Sequence, residues 1–399
     1  MPTARPGDPR RPRAGQAARR RPGAPRHRAT RRHRPARAVV GTAAAVALVL
    51  VLAVSLGVAQ GLGQRRAFPP RACGLPACRP APGPTLPPPA DGPAAAARIV
   101  TPGMDVPNPF MLVGGGRYFL YSSQWGFYKP NVPVRESTRR DVWRAAPGDQ
   151  WQGATEAMPR LPAWVRAGFT WAPDVRKVGG RYVMWFTGWL AGREPRTECI
   201  GVATSSSPLG PFVGLPQPSI CQLDRHGSID PRTFVDANGK EWLYWKSDDN
   251  ADVGGTQRTS IYAQPLAPDG MTLTGSPVQI LQADQAWEGR IVEAPQMVLA
   301  HGQYWLFYSG NWFNQPYYAI GVARCASAAG PCTKPFDHPW LASNPEGSGP
   351  GEQSLFSDSE GTWIIYSPWS VVYPHTDTPR PVAMARVGFG PDGPYLASW

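Results

Sequence analysis

The sequence lacks the features that would indicate several common protein classes. None of its six cysteines are spaced as Cys-x-x-Cys, and no histidine accompanies the cysteine pairs, which argues against a zinc site. Long stretches of helical periodicity are absent after residue 97, so an all-β class is favoured over a helical one.

Acidic residues are almost absent from the first 37 positions, which hold 13 arginines and a single aspartate, Asp8. This tail carries +12 of the formal net charge of +13, so the rest of the chain is nearly neutral. The basic character therefore describes a tail and not a binding face, and no nucleic-acid partner is predicted. Having few large apolar residues, segment 1–37 is predicted to be a disordered cytoplasmic tail.

Charge is also missing from segment 38–63, which is apolar over 26 residues. That length spans a bilayer core of about 30 Å, and the preceding arginines favour a cytoplasmic N-terminus. The sequence predicts a single-pass anchor in the cell membrane with the C-terminal part outside. The alternative is a cleaved signal peptide and a secreted protein, although such peptides have apolar regions of about 7–15 residues. Segment 64–97, rich in proline and alanine, is predicted to be a semi-rigid stalk.

The cysteines fall into three close pairs, which agrees with an exported, oxidised domain. Six cysteines allow about 15 pairings, and pairing neighbours is the simplest of them. The predicted disulfides are Cys73–Cys78, Cys199–Cys221 and Cys325–Cys332.

A short pattern occurs five times between residues 98 and 399. Each copy is a turn, mostly glycine-containing, followed by alternating aromatic and aliphatic residues, as in a β-hairpin. The copies begin at GGRYFLYSS, GGRYVMWFTG, NGKEWLYWKS, HGQYWLFYSG and EGTWIIYSP, and their leading aromatics are 59 to 64 residues apart. This period predicts a five-bladed β-propeller over 98–399. A β-sandwich, the alternative, does not account for such even spacing.

A second short strand with polar residues precedes each hairpin. The first strand of a propeller blade lines the central channel, so these residues are expected to meet at one mouth of it. A ring of carboxylates repels itself unless a function or a cation holds it together. The alternative is that each acid caps a turn. The candidates are Asp105 or Asn108, Asp174, Asp230, Glu293 and Glu352.

Paired carboxyl groups indicate glycoside hydrolysis, in which one protonates the leaving oxygen and the other activates water or attacks the sugar. Tryptophans close to these strands are candidates for stacking on sugar rings, with packing between blades as the alternative. These are Trp125, Trp171, Trp189, Trp287 and Trp312, and Asp230 is a further candidate for substrate binding.

The motifs resemble those of glycoside hydrolase family 43, the five-bladed enzymes that trim arabinan and xylan. The string WAPDV is similar to a second-blade motif, and the resemblance implies that Asp174 tunes the general acid. The string VEAPQMVLAHGQYWLFYSG is similar to a fourth-blade motif, which implies that Glu293 is the general acid. The string SIDPRTFVD is similar to the third-blade strand. The resemblance covers about residues 98–385 and implies an inverting mechanism that needs no cofactor.

Two positions depart from the family pattern. In DVPNPFML the position of the general base holds Asn108, whose amide cannot accept a proton from water. Asp105, three residues earlier, is the alternative base. In GPGEQS, Glu352 replaces a histidine that helps to hold a hydrated calcium ion in the family. A carboxylate is a harder ligand, so Glu352 is a candidate ligand for structural calcium.

Three functions remain open. The first is a cell-surface glycosidase that acts on arabinose- or xylose-containing polysaccharides. Its base is Asp105 after a local shift, or its water is held by Asn108 and activated elsewhere. The second is a carbohydrate-binding propeller that has lost turnover. The third, a fructan-cleaving or mannoside-phosphorylase type, ranks last because no NDPNG-like string occurs. The glycosidase is favoured because Asp174 and Glu293 keep their motif contexts.

Overall fold

The described residues form five antiparallel β-sheets, each built mainly from strands that are neighbours in sequence. The computed structural model describes residues 97–125, 131–137, 151, 153–251, 256–344, 347–370 and 378–398. The all-β, five-bladed propeller predicted from the repeat is confirmed. The predicted tail, apolar span and nearly all of the stalk lie outside the described residues. Among the residues that are described, no helix has the length and apolar character to cross a membrane.

The strands, numbered in chain order, form the five blades predicted from the repeat. Blade one holds β2 (Phe110–Gly114), β3 (Arg117–Tyr121), β5 (Pro133–Ser137) and β6 (Thr155–Glu156). Blade two holds β7 (Val165–Val178), β8 (Arg181–Leu190), β9 (Glu198–Ser205) and β10 (Val213–Gly214), with β4 (Gln124–Trp125) added beside β7. Blade three holds β11 (Ser228–Val235), β12 (Glu241–Ser247), β13 (Ser260–Leu266) and β14 (Val278–Gln282). Blade four holds β15 (Val292–Ala300), β16 (Gln303–Gly310), β17 (Ala319–Cys325) and β18 (Cys332–Thr333).

Blade five is assembled from both ends of the domain. It holds β19 (Ser354–Asp358), β20 (Gly361–Tyr366) and β21 (Ala383–Gly390). Its outer edge combines β22 (Gly393–Ala397) with β1 (Arg98–Ile99), and both pair with β21. The N-terminal strand therefore closes the ring of blades.

Alternation along the second strand of each blade explains why the blades form a ring. Successive side chains of a strand point to opposite faces. In β12, Trp242 and Tyr244 join the core shared with blade four, whereas Leu243 and Trp245 join the core shared with blade two. Five such buried clusters occur, one between each pair of neighbouring blades. The repeated aromatic strand thus supplies both faces of every blade interface.

Two of the predicted disulfides are present. Cys199 at the start of β9 is joined to Cys221, and Cys325 of β17 is joined to Cys332 of β18. Cys73 and Cys78 lie outside the described residues, so their pairing stays a prediction.

Blade four contains a glycine whose replacement tests the packing. A Cβ at Gly321 would lie 2.5 Å from the ring of Tyr308 and 2.9 Å from that of Trp287, because both rings pack on the bare backbone. We expect Gly321→Ala to lower the free energy of unfolding by about 1–3 kcal/mol. Gly114→Ala is the control, since a Cβ there meets nothing within 4 Å. Chemical denaturation measures both, and equal effects of the two substitutions would contradict the packing described.

Candidate active site

Every blade has a residue in the left-handed backbone region, either within its first strand or two residues before that strand begins. These residues have φ between 47° and 59°, although none is glycine: Asn108, Ala172, Asp230, Ala294 and Glu352. In blades two, three and four the pairing with the second strand shifts register at this point, which makes the feature a β-bulge. A bulge bends the strand and re-aims the side chains beside it. Because the first strands of neighbouring blades pack on one another, the bulges bring their side chains together at one end of the channel.

Three buried carboxyl groups meet there, one from each of three blades. Asp230 comes from blade three, Glu293 from blade four and Glu352 from the loop before β19. One oxygen of each lies within 4.8 Å of the others. The convergence predicted for these three residues is therefore present, and the fourth predicted acid, Asp174, is outside this cluster. We call Asp230, Glu293 and Glu352 the carboxylate cluster.

Glu293 is held on both oxygens. The ammonium of Lys246 donates to Oε2 at 3.0 Å, and the hydroxyl of Tyr318 donates to Oε1 at 2.7 Å. Lys246 is fully buried and also contacts Asp248 Oδ1 at 3.2 Å. Burial alone would lower the pKa of Lys246, but Glu293, Asp248 and Asp230 outweigh it and raise that pKa. Lys246 is therefore a fixed positive charge that orients the carboxyl group of Glu293.

Glu352 holds its proton more tightly than an ordinary glutamate. Burial, followed by the charges of Asp230 and Glu293, raises the pKa of Glu352 well above its usual value. The geometry agrees, because the Tyr318 oxygen lies 3.1 Å from Glu352 Oε1 as well as beside Glu293. The single hydroxyl proton of Tyr318 serves one carboxylate, so a proton on Glu352 completes the second hydrogen bond.

Asp230 is held by hydrogen bonds to both neighbouring blades, two and four. Its backbone N–H donates to the Thr187 hydroxyl at 3.1 Å, and its Oδ2 accepts from the backbone N–H of Ala294 at 3.0 Å. Its Oδ1 has no hydrogen-bond partner among the residues that the structure describes. Burial and the charge of Glu293 raise the pKa of Asp230 to about 7. Asp230 and Glu352 therefore both hold a proton more readily than ordinary carboxyl groups, since the members of the carboxylate cluster repel each other's charge.

A second pair of acids, Asp248 and Glu198, lies beside Lys246 and outside the carboxylate cluster. Asp248 and Glu198 are both buried, and in the described part of the chain no donor reaches Oδ2 of Asp248 or Oε2 of Glu198. Burial, followed by Asp248, raises the pKa of Glu198 to about 8. One proton shared between the two acids would satisfy both oxygens. The other oxygen of Glu198 accepts from Arg196 Nε at 2.7 Å.

Asp174 does not lie where the resemblance implied. Both of its oxygens are used by Thr233, whose hydroxyl donates to Oδ1 at 2.6 Å and whose backbone N–H donates to Oδ2 at 3.2 Å. Burial raises the pKa of Asp174, and Glu293 is not among the charges that act on it. Asp230 is the aspartate beside Glu293. The bulge explains the difference, because Asp174 lies two residues past the left-handed Ala172, whereas Asp230 is itself the left-handed residue of its blade.

The two candidates for the base are also placed. Asn108 is the left-handed residue of the first blade, the same position that Asp230 and Glu352 hold in theirs. Asp105 is exposed, and its Oδ1 accepts from the backbone N–H of Arg380 at 3.2 Å. It therefore lies outside the buried carboxylate cluster, and the shift that would make Asp105 the base is not seen.

The tryptophans differ in what they can contact. Trp287 stacks on Tyr308 with ring centroids 5.9 Å apart, and its indole N–H donates to Gln285 at 2.6 Å, so it packs within blade four. Trp171 is buried, with its ring 5.9 Å from that of Phe169. These contacts support the packing alternative for both residues. Trp125 lies in β4, and its side chain is outside the described part of the structure.

Lys246 and Tyr318 were missed at the level of sequence. Lys246 stands at the end of an otherwise apolar strand, in WLYWKS, and a charge in such a run was the available signal. Tyr318 precedes β17 in a loop that already holds several aromatic residues, so nothing in the sequence distinguished it. Arg232, buried two residues after Asp230, donates to the carbonyl of Pro173 at 3.3 Å and supplies a second fixed cation.

The fold and the site together define a β-propeller with a buried acidic cluster at the mouth of its channel. Comparison with known families matches residues 98–395 to the glycosyl hydrolases family 43. The chain belongs to that family.

Curated and solved relatives are consistent with this family. An α-L-arabinofuranosidase 43 of Humicola insolens is 24% identical over 225 residues, which are 55% of this chain and 45% of the relative. The match thus spans less than half of that relative's length. The structure of an α-L-arabinofuranosidase from Lactobacillus brevis is 18% identical, with a TM-score of 0.61 over 76% of this chain and 97% of that one. An endo-arabinase from Bacteroides thetaiotaomicron is 22% identical, with a TM-score of 0.55 over 72% and 96%.

The change in stability as the pH rises to about 8 tests the raised pKa of Glu198 in the second acid pair. An unfolded glutamate loses its proton near its ordinary pKa of about 4.5, whereas folded Glu198 keeps it up to about 8. The native state thus binds more protons between these values, and stability is lost as the pH rises through that window. Each unit of pKa shift corresponds to about 1.4 kcal/mol, an upper limit for an acid coupled to Asp248.

We expect Glu198→Gln to keep the neutral form at every pH, so that its stability relative to wild type increases from pH 5 to pH 8. Melting temperatures across that range measure the effect. Glu194→Gln is the matched control, because Glu194 is exposed on the same blade. Parallel pH profiles for wild type and Glu198→Gln would contradict the raised pKa.

Proposed function

We propose that the protein is a glycoside hydrolase that acts on arabinose- or xylose-containing polysaccharides, with Glu293 as the general acid. The observation that carries the proposal is the pairing of Glu293 with Asp230 at the channel mouth of a family 43 propeller. The names of the relatives, an arabinofuranosidase and an endo-arabinase among them, support the substrate class.

We propose a catalytic or orienting role for each group from its contacts. Glu293 protonates the leaving oxygen of the scissile bond, while Lys246 and Tyr318 fix its orientation. Asp230, rather than Asp174, is the carboxyl group that lies beside Glu293, with an oxygen of each within 4.8 Å of the other. Two carboxyl groups this close repel each other when both are charged.

Water must approach from the side of the sugar opposite to the acid. In inverting enzymes the acid and the base are about 6.5–9.5 Å apart, which leaves room for that water. Asp230 and Glu352 each have an oxygen within 4.8 Å of Glu293, too close for this role. That leaves the first blade, where Asn108 can hold a water through its amide but cannot accept its proton. We propose inversion with slow turnover, in which the water held by Asn108 attacks without a carboxylate base and releases its proton to solvent water.

A carbohydrate-binding protein without turnover is the second candidate, and Asn108 is the observation that favours it. Loss of a general base costs about 10²–10⁴-fold in rate. The buried cluster and the fixed acid would then serve only to hold a sugar. The intact surroundings of Glu293 favour the enzyme.

We also propose a structural calcium ion beside Glu352. Calcium takes six to eight oxygen ligands, and its usual protein donors include carboxylates. Lys246 and Tyr318 contact both oxygens of Glu293, whereas Tyr318 contacts one oxygen of Glu352. Oδ1 of Asp230 has no partner among the described residues, so Glu352 and Asp230 are the donors that fit. When bound, the ion would neutralise charge in the cluster.

We further propose that segment 38–63 anchors the chain in the cell membrane and that the propeller lies outside the cell. The support is the run of 26 uncharged residues directly after 13 arginines. The two disulfides of the propeller agree with an oxidising compartment. Secretion after cleavage of the segment is the alternative.

Hydrolysis of aryl pentosides and arabino-oligosaccharides tests the activity. We expect Glu293→Gln to lower kcat by about 10²–10⁴-fold, because the amide cannot donate the proton in the transition state. Asp230→Asn should shift the pH profile of kcat. Asp174→Asn, which disturbs the contacts to Thr233, should act mainly on the melting temperature.

Asn108→Asp separates the two candidate functions. In an active wild type it should raise kcat by about 10²-fold or more, since a base is restored. Activity that appears only in Asn108→Asp would establish the wild type as a binding protein. If Glu293→Gln leaves wild-type hydrolysis unchanged, the acid is another residue.

Thermal denaturation with and without calcium tests the ion. A ligand at 100 times its Kd stabilises the native state by about 2.7 kcal/mol, so calcium should raise the melting temperature. Glu352→Gln should abolish the increase, and Asp392→Asn, at an exposed turn of blade five, should preserve it. An unchanged wild-type melting temperature would exclude the site.

A further inference from the structure

Exposed aromatic side chains are concentrated in one loop of the propeller. Among the described residues, four aromatic side chains are exposed, and three of them lie within six positions of one another. Trp312, Phe313 and Tyr317, exposed by 40%, 43% and 60%, occupy the connection between β16 and β17. The fourth is Tyr395, on the outer strand of blade five. We call residues 311–318 the aromatic loop.

The aromatic loop adjoins the candidate active site. It follows Gly310, and the preceding Ser309 pairs directly with Glu293 across the two strands. Its last residue is Tyr318, whose hydroxyl donates to Glu293. Both ends of the loop are therefore anchored beside the general acid, and the exposed rings lie between these two ends.

Hydrogen bonds hold the aromatic loop in one conformation, so its exposed rings form a fixed surface. The indole N–H of Trp369 donates to the carbonyl of Phe313 at 2.6 Å, and the hydroxyl of Ser343 donates to that of Pro316 at 2.7 Å. The side chain of Asn311 donates to the carbonyl of Trp287 at 2.8 Å. A fixed surface binds a ligand without the entropic cost of ordering it first.

The chemistry of the loop matches a neutral, hydroxyl-rich ligand. Its sequence is NWFNQPYY, with no charged residue. Flat aromatic faces pack against the C–H faces of sugar rings, and the interspersed amides can both donate to and accept from hydroxyls. Arg380, the cation that the rings of Phe313 and Trp369 contact, is buried and so is not presented to an anionic ligand.

We propose that the aromatic loop is a binding platform for the part of a neutral glycan chain that extends beyond the scissile bond. The inference rests on the proposed function, because it takes the glycan of that site as its ligand. It adds that the ligand is an oligomer or polymer, since the rings give successive sugar units a surface to stack on. Sugars of one unit gain nothing from it.

Binding measured separately from hydrolysis tests this inference. The probes are arabino-oligosaccharides and xylo-oligosaccharides of one to six units, titrated calorimetrically into full-length Glu293→Gln, which prevents their consumption. We expect the affinity to rise with chain length. Trp312→Ala and Tyr317→Ala should each weaken binding of the hexamers by about threefold to tenfold. Binding of single sugars should not change.

Tyr395→Ala is the matched control, an exposed aromatic residue outside the loop, and should preserve the length dependence. Exposed tryptophan and tyrosine also suit a membrane surface. The same variants are therefore tested on uncharged phosphatidylcholine vesicles. Loss of vesicle binding together with unchanged glycan binding would overturn the platform in favour of membrane contact.

Two further outcomes separate the inference from the proposed activity. Length-dependent binding that the loop variants weaken, in a protein that hydrolyses none of the pentosides, supports the platform and rejects the enzyme. Hydrolysis by the wild type with no effect of Trp312→Ala or Tyr317→Ala on long chains rejects the platform and keeps the enzyme. A protein that binds no neutral oligosaccharide of any length overturns the platform.

Discussion

The left-handed residue at the start of each blade is the constraint on which the site depends. These five non-glycine residues have φ between 47° and 59°, a conformation that disfavours side chains. Such strain persists only where the surrounding structure enforces it, and it clusters at functional sites. Here the surrounding hydrogen bonds are visible, as where Ala294 N–H donates to Asp230. The bulge of blade four is thus held by the carboxylate of the neighbouring blade three. The acidic side chains therefore help to stabilise the backbone that positions them.

Much of the fold could be predicted because its physical cause repeats. A strand that must fill two blade interfaces needs large apolar residues on both faces, as in Trp242, Leu243, Tyr244 and Trp245. That requirement leaves five aromatic runs at nearly equal spacing, which the sequence shows directly. Closure of blade five by β1 could not be foreseen, since two residues, Arg98 and Ile99, carry too little pattern.

The site was predicted less completely, because a bulge breaks the alternation on which sequence patterns rely. Asp174, Asp230 and Glu293 lie in similar strings, yet they take three different positions relative to the left-handed residue. Only two of them meet. The contacts of Lys246 and Tyr318 join residues 47 and 25 positions apart in the chain, and no local pattern specifies such pairs. The asparagine at position 108, by contrast, was evident from the sequence, and in the structure it is the left-handed residue of blade one.

The composite edge of blade five brings the two ends of the domain together. Ala397 pairs with Arg386, and Arg98 pairs with Met384, so one position on β21 separates the end of the last strand from the start of the first. Both pieces run in the same direction, as if a single strand had been cut. The propeller is therefore suited to circular permutation: joining the ends through a residue or two would restore an unbroken strand, and new termini could be opened in an exposed turn of another blade.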